Sequence, residues 1–262
     1  MNLSKYNWNF TLFGVPVCVM PSFWILCVFF SPFVSGFRGE GSWLFGLIGW
    51  SAAVLASFLL HELGHALAAR RLQGARPAID LGIGRGSRGA FVFGGVTSWT
   101  PTFGESHKSR AIVSVAGPCA ALIGAVVLLL IAFLEGSSFS YTLEFGFLPV
   151  VFPADWLIGL QSSSPIRMAF SYFVYGFLWI GFFWSFVNLV PIFPLDGGQV
   201  LTSVLIAKNG ARGAALGLKI SIVCGLVVGA LFLGEGSLFA AFFFFYLAYQ
   251  NYQTLKYSGS IY

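Results

Sequence analysis

The sequence predicts an all-α polytopic membrane protein: a six-transmembrane-helix bundle with a small membrane-associated β-hairpin or sheet between helices two and three. Three observations carry that expectation. Of the 262 residues, 57% are hydrophobic and only 9% are charged, with mean hydropathy +0.84, whereas soluble domains carry about 25% charge. The apolar residues gather in runs long enough to cross a hydrocarbon core of ~30 Å. When six such runs are threaded back and forth, all of the 14 Lys and Arg except Arg38 and Arg167 fall on one side, as membrane orientation requires. The chain therefore reads as one domain, 1–262, with a β-rich interfacial insert at about 72–108. The net charge of +5 follows from loop placement, and no nucleic-acid partner is needed to explain it.

The elements follow in order. Residues 1–16 make no span. Trp8, Phe10 and Leu12 alternate with Asn7, Asn9 and Thr11, the period of a short strand. No basic segment leads into an apolar core and a small-residue cleavage site, so no cleavable signal peptide is expected. Residues 17–35 are apolar and aromatic and are expected to form the first transmembrane helix, with Pro21 near its start. Residues 43–69 form the second.

Residues 72–108 are the least helical. Residues 79–83 and 90–93 flank Gly84-Arg85-Gly86-Ser87-Arg88-Gly89, which reads as a hairpin continuing through Gly94-Gly95-Val96. The glycine spacing formally matches a dinucleotide fingerprint, but no helix follows and no βαβ unit surrounds it. A third span covers residues 111–134. The apolar middle of the next loop, residues 145–160, is broken by Pro149 and Pro153 and is expected to be re-entrant or interfacial. A fourth span at 171–190 precedes a short amphipathic stretch to Lys208, and spans at 216–233 and 237–252 complete the bundle. Cys18, Cys27, Cys119 and Cys224 lack C-x-x-C spacing and read as core thiols.

The basic side is taken as cytoplasmic. That places a multi-pass protein in the cell inner (plasma) membrane, with the lipid bilayer as its solvent and both termini in the cytoplasm. Spans two and four then both run inward, and their polar residues reach the same depth.

Those polar residues carry the chemistry. Leu59-Leu-His-Glu-Leu-Gly-His-Ala-Leu-Ala-Ala-Arg-Arg71 sets His61 and His65 four residues apart, on one helix face. Glu62 lies about 100° around. H-E-x-x-H is the spacing at which two histidines hold zinc while the glutamate serves as general base. Ionisable residues in a membrane helix are costly and mark function.

A catalytic zinc site takes three protein ligands and leaves one position open. Of the remaining acids, Glu40, Glu135, Glu144, Asp155 and Glu235 fall on the opposite side, while Asp80 and Glu105 lie in a basic interfacial region. Asp196 is left, at the right depth and followed by two glycines. An Asp in Leu-Asp-Gly-Gly can also cap the following helix. Asn188 is either an amide packing across the bundle or a donor to a developing oxyanion. His107, in Gly-Glu-Ser-His-Lys-Ser-Arg, reads as an exposed loop residue.

His61-Glu62-Leu63-Gly64-His65 on one span, with Asn188-x-x-Pro191-x-x-Pro194-x-Asp196-Gly197 after a later one, resembles the site-2 protease family of intramembrane zinc metalloproteases. Phe13-Gly14-Val15-Pro16, Pro21-Ser22-Phe23-Trp24, Phe93-Gly94-Gly95-Val96 and Ala116-Gly117-Pro118 are similar to minimal bacterial members that lack PDZ and CBS modules. The resemblance runs to about Gly198, and the last two spans match in position only. It departs at Ala121, where the family often has asparagine.

The resemblance implies one catalytic Zn2+ held by His61, His65 and Asp196. It implies that Glu62 activates the water, that Asn188 assists the transition state, and that the substrate is a transmembrane protein cut within or near its membrane segment. A substrate helix must unwind before attack, and a strand edge could capture it by main-chain pairing. The hairpin at residues 79–96, with Phe93, Gly94, Gly95 and Val96 as candidate substrate-binding residues, is the candidate edge; alternatively it plugs the cytoplasmic mouth. The competing function is a non-enzymatic zinc-binding membrane transporter, which needs polar groups strung along a path instead of gathered at one depth.

Overall fold

The computed structural model describes residues 6–31, 43–85, 91–102, 106–144, 148–161 and 163–259. Two strands open the chain, β1 (Trp8–Leu12) and β2 (Val15–Val19), joined by a turn in which Phe13 and Gly14 have positive φ. Helix α1 (Pro21–Phe29) begins on a proline, whose missing N–H costs nothing in the first turn. Helix α2 (Trp43–Gln73) is the longest element, and β3 (Ala78–Arg85) and β4 (Phe91–Ser98) follow it. Helix α3 (His107–Leu134) is opened by a capping box, in which Ser106 and Ser109 each take the other's backbone N–H.

A second hairpin, β5 (Phe139–Glu144) and β6 (Leu148–Pro153), leads through the short helix α4 (Ala154–Leu157) to α5 (Pro165–Trp179). A π-helical turn, Ile180–Trp184, joins α5 to α6 (Ser185–Leu189). Then come α7 (Asp196–Asn209), α8 (Ala211–Gly234) and α9 (Leu238–Gly259).

Among the described residues, four helical stretches are long and apolar enough to cross a membrane: Trp43–Gln73, His107–Leu134, Pro165–Leu189 and Ala211–Gly234. α2 packs against both α3 and α5, and small residues make the approaches close. A side chain at Gly49 would strike the backbone of Ala169, and one at Gly64 the backbone of Ala116.

The first four strands form one sheet in the order β1-β2-β3-β4, antiparallel except for the parallel pair β2–β3. One face, with Val15, Val17, Val19, Ile79 and Leu81, packs on Phe23 and Cys27 of α1 and on Leu63 and Ala66 of α2. Arg70, near the end of α2, donates to the Phe13 carbonyl at 2.8 Å, tying the sheet to that end of the helix. Burial and the facing Asp80 push the Cys18 thiol up, which keeps it protonated.

Several sequence expectations need correction. Val17–Val19 belong to a strand because they pair with Ile79–Leu81, so the helix expected over 17–35 runs only from Pro21 to Phe29, and residues 32–35 fall outside the described residues. The expected hairpin at 79–96 is present but is half of a four-stranded sheet, and part of its glycine-rich turn (86–90) lies outside the described residues. Of the apolar stretch at 145–160, expected to be re-entrant or interfacial, Leu148–Pro153 form β6 and Ala154–Leu157 form α4, while 145–147 fall outside the described residues. Val150 and Phe152 of β6 bury against Val174 and Leu178 of α5, and pairing with β5 satisfies the backbone that Pro149 and Pro153 keep from being helical. The all-α expectation therefore holds for the bundle but misses three strands. All four cysteines are free, and Cys119 is exposed rather than in the core.

Replacing Gly49 with leucine should drive α2 and α5 apart at an overpacking cost of about 1–3 kcal/mol. The measurement is the melting temperature of the detergent-solubilised protein, with an expected fall of several degrees. Gly234→Leu, which meets open space, should leave it unchanged.

Candidate functional site

α2 brings His61 and His65 to one face, and the start of α7 meets them there. His61 Nε2 lies 3.1 Å from His65 Nε2 and 3.2 Å from Asp196 Oδ2, while His65 Nε2 lies 3.4 Å from Asp196 Oδ1. All three residues are buried, at 5–7% exposure. Asp196 is the first residue of α7, but no side-chain capping bond is made at that terminus; its two carboxylate oxygens turn to the imidazoles instead. The glycines that follow are required by space. A Cβ at Gly197 would strike Leu189, and one at Gly198 the backbone of Ile192 and Phe193, because the incoming loop lies directly on the first turn of α7.

Second contacts orient the donors. His65 Nδ1 donates to the Val113 carbonyl of α3 at 2.7 Å, which puts the proton on Nδ1 and leaves Nε2 its lone pair. His61 Nδ1 is buried with no partner among the described residues, so whatever occupies Nε2 sets its tautomer. Gly117 of α3 makes room for the ring: a Cβ there would overlap the His65 imidazole. Two histidine Nε2 atoms and a carboxylate, buried together with their ligand atoms within 4.8 Å of one another, make a compact donor set for a cation. The nitrogen and oxygen donor set fits zinc.

Glu62 is held from the sheet. The Thr97 hydroxyl on β4 lies 2.7 Å from Glu62 Oε2, to which it donates, and 2.9 Å from the Glu62 carbonyl. A Cβ on Gly95 would come within 2.7 Å of Oε1, so this glycine leaves the carboxylate its place. Glu62 and the three donors line a cavity of about 970 Å³ together with Gly95, Val96, Thr97 and Asn188. Asn188, on α6, is 8% exposed. It lines the cavity beside Asp196 and Trp184.

Every predicted site residue is thereby located. His61, His65 and Asp196 converge, and Glu62 and Asn188 share their cavity. Of the strand candidates, Gly95 and Val96 line that cavity. Gly94 lines a neighbouring apolar one of about 250 Å³, and Phe93 contributes backbone pairing to Ile83. His107 is the exposed first residue of α3, away from the cluster. Sequence reasoning missed Thr97, for which no motif gave a signal, and the Val113 carbonyl, which as a backbone group has none.

Comparison with known proteins follows the same lines. A family model described as peptidase family M50 matches residues 50–232. A protein of Synechocystis sp. that carries the provisional name zinc metalloprotease sll0528 is 30% identical over 236 residues, which are 87% of this chain and 51% of that protein. Rip3 of Mycobacterium tuberculosis, likewise provisionally named a zinc metalloprotease, is 27% identical over 216 residues, 81% of this chain and 45% of its own length. The chain thus spans about half the length of the curated relatives it matches. The solved site-2 protease from Methanocaldococcus jannaschii superposes with a TM-score of 0.52 at 20% identity, covering 94% of this chain and 95% of that one. At that identity the likeness is one of fold.

Gly117→Val should displace the His65 ring. The expected result is a 10–100-fold loss of zinc affinity, read by titration against a chelator of known strength.

Proposed function

The chain belongs to peptidase family M50, and from that premise we propose that it is an intramembrane zinc metalloprotease that hydrolyses peptide bonds within or near transmembrane segments of membrane-protein substrates. The observation that carries the proposal is the convergence of His61, His65 and Asp196 beside Glu62 in one buried cavity. His61, His65 and Asp196 would hold one zinc ion. Zinc in such a site polarises a carbonyl and lowers the pKa of water toward neutrality.

The chain's own residues supply the rest. The Glu62 carboxylate takes the proton of the attacking water and later delivers it to the leaving amine. Thr97 keeps Oε2 in place, so that Oε1, beside Gly95, is the oxygen available for that proton. The Asn188 amide, which lines the cavity, donates to the oxyanion as the carbonyl becomes tetrahedral.

A substrate helix hides its carbonyls in its own hydrogen bonds and must open before attack. β4 ends the order of its sheet and lines the cavity, which supports capture of the opened segment by main-chain pairing. The orientation in this reading is cytoplasmic for both termini and for the site. Six crossings are counted, with the α1 region and α9 added to the four apolar stretches, and the distribution of Lys and Arg supports that count. A transporter would need donors along a path. Among the described residues, His61, His65 and Asp196 form the one group able to hold a metal.

Glu62→Gln should keep its zinc yet lower cleavage of a co-expressed membrane substrate by a factor of about 10²–10⁴, scored by immunoblot of the product. Cleavage at the wild-type rate would sink the proposal. Asp196→Ala should lose the metal itself, measured as zinc per chain by mass spectrometry. Several exchangeable ions in the wild type would instead favour transport.

A further inference from the structure

The loop that delivers Asp196 is held from outside its own segment. Residues 190–195 make short turns of their own, with Ile192 N–H on the Val190 carbonyl and Leu195 N–H on the Ile192 carbonyl. At the centre of the loop, both main-chain polar groups of Phe193 are taken by side chains from the last two helices. Ser221 Oγ on α8 accepts the Phe193 N–H at 3.0 Å and passes its own proton to the Gly217 carbonyl at 2.9 Å. Asn251 Nδ2 on α9 donates to the Phe193 carbonyl at 2.6 Å and to the Leu247 carbonyl at 2.8 Å. Two carbonyl acceptors settle which end of the amide carries nitrogen.

Asn251 is otherwise hard to explain. It is almost fully buried, and its Oδ1 has no partner among the described residues. That is a desolvation cost a leucine would avoid. A polar side chain kept at such a cost in a helix of this composition points to a role. Asn251 also lies beyond residues 50–232, the part of the chain that the family model matches.

We propose that Asn251, together with Ser221, is a positioning residue for Asp196. The two side chains clamp Phe193, three residues before the carboxylate, and so hold Asp196 against His61 and His65. The loop transmits the clamp because it has no slack. Its backbone rests on Gly197 and Gly198, and Gln199 Nε2 reaches back to the Pro194 carbonyl at 3.0 Å. The inference rests on the metal reading of the preceding subsection.

The test is the rate at which the zinc-loaded full chain releases metal to excess 1,10-phenanthroline, measured beside the melting temperature of the metal-free protein. Asn251→Leu should release zinc at least ~10-fold faster, and Ser221→Ala should shift the rate in the same direction; if Asn251→Leu does not fold, Ser221→Ala decides. Gly49→Leu serves as control, since it loosens the bundle away from the loop and should leave the release rate as in the wild type. Release at the wild-type rate in both variants, or equal acceleration by Gly49→Leu, overturns the clamp alone. A wild-type chain that holds no zinc overturns the metal reading, and the clamp with it.

Discussion

A buried carboxylate facing two imidazole nitrogens is the constraint on which the rest of this structure depends. Inside a bundle this apolar, Asp196 keeps its charge only with a positive partner beside it, and the imidazole nitrogens of His61 and His65, at 3.2 and 3.4 Å, are the groups its carboxylate faces. The Val113 carbonyl holds a proton on His65 Nδ1, so Nε2 is the nitrogen left to face the carboxylate. The architecture around the donors serves this one demand: α2 fixes two of them a turn apart, and α7 must arrive end-on with the third.

Small residues are what allow that arrival. Gly64 and Gly117 let α3 lie against α2 without pushing the His65 ring aside, and Gly197 and Gly198 let a loop backbone pass over the start of α7. None of these positions touches a substrate in the proposed reaction, yet a methyl group at any of them would intrude on a donor, on the loop that delivers one, or on the helix packed behind them. The same economy appears on the sheet side, where Gly95 leaves room for the Glu62 carboxylate and Thr97 holds it.

What the sequence revealed follows from how local each signal was. The H-E-x-x-H on α2 is a one-turn pattern in a single helix, so spacing alone exposed it. Asp196 could be reached by elimination because charges are scarce in this chain. The β2 strand was hidden because a short buried strand and the start of an apolar helix have the same composition; only pairing with β3, some sixty residues later, separates them. β5 and β6 were hidden for a related reason, since their prolines argued against a helix without arguing for a hairpin. Thr97 and Ser221 carry no pattern at all. Asn251 stands between Gln250 and Gln253 near the end of α9, and what it bonds to are backbone carbonyls, which no sequence displays.

The placement of β4 has a consequence for how proteins of this design can diverge. The strand that ends the order of its sheet also meets Glu62 through its own residues Gly95 and Thr97. Any change there that altered which chains pair with the edge would also move the base. In the proposed function, selectivity and rate would thus be written on the same few residues, and drift on that strand would be penalised twice. The opposite wall is under no such double duty. Phe239, Phe242, Phe243 and Tyr246 of α9 line the same cavity without contributing a donor or a base. New preferences can accumulate there, on the aromatic helix, while the strand stays as it is.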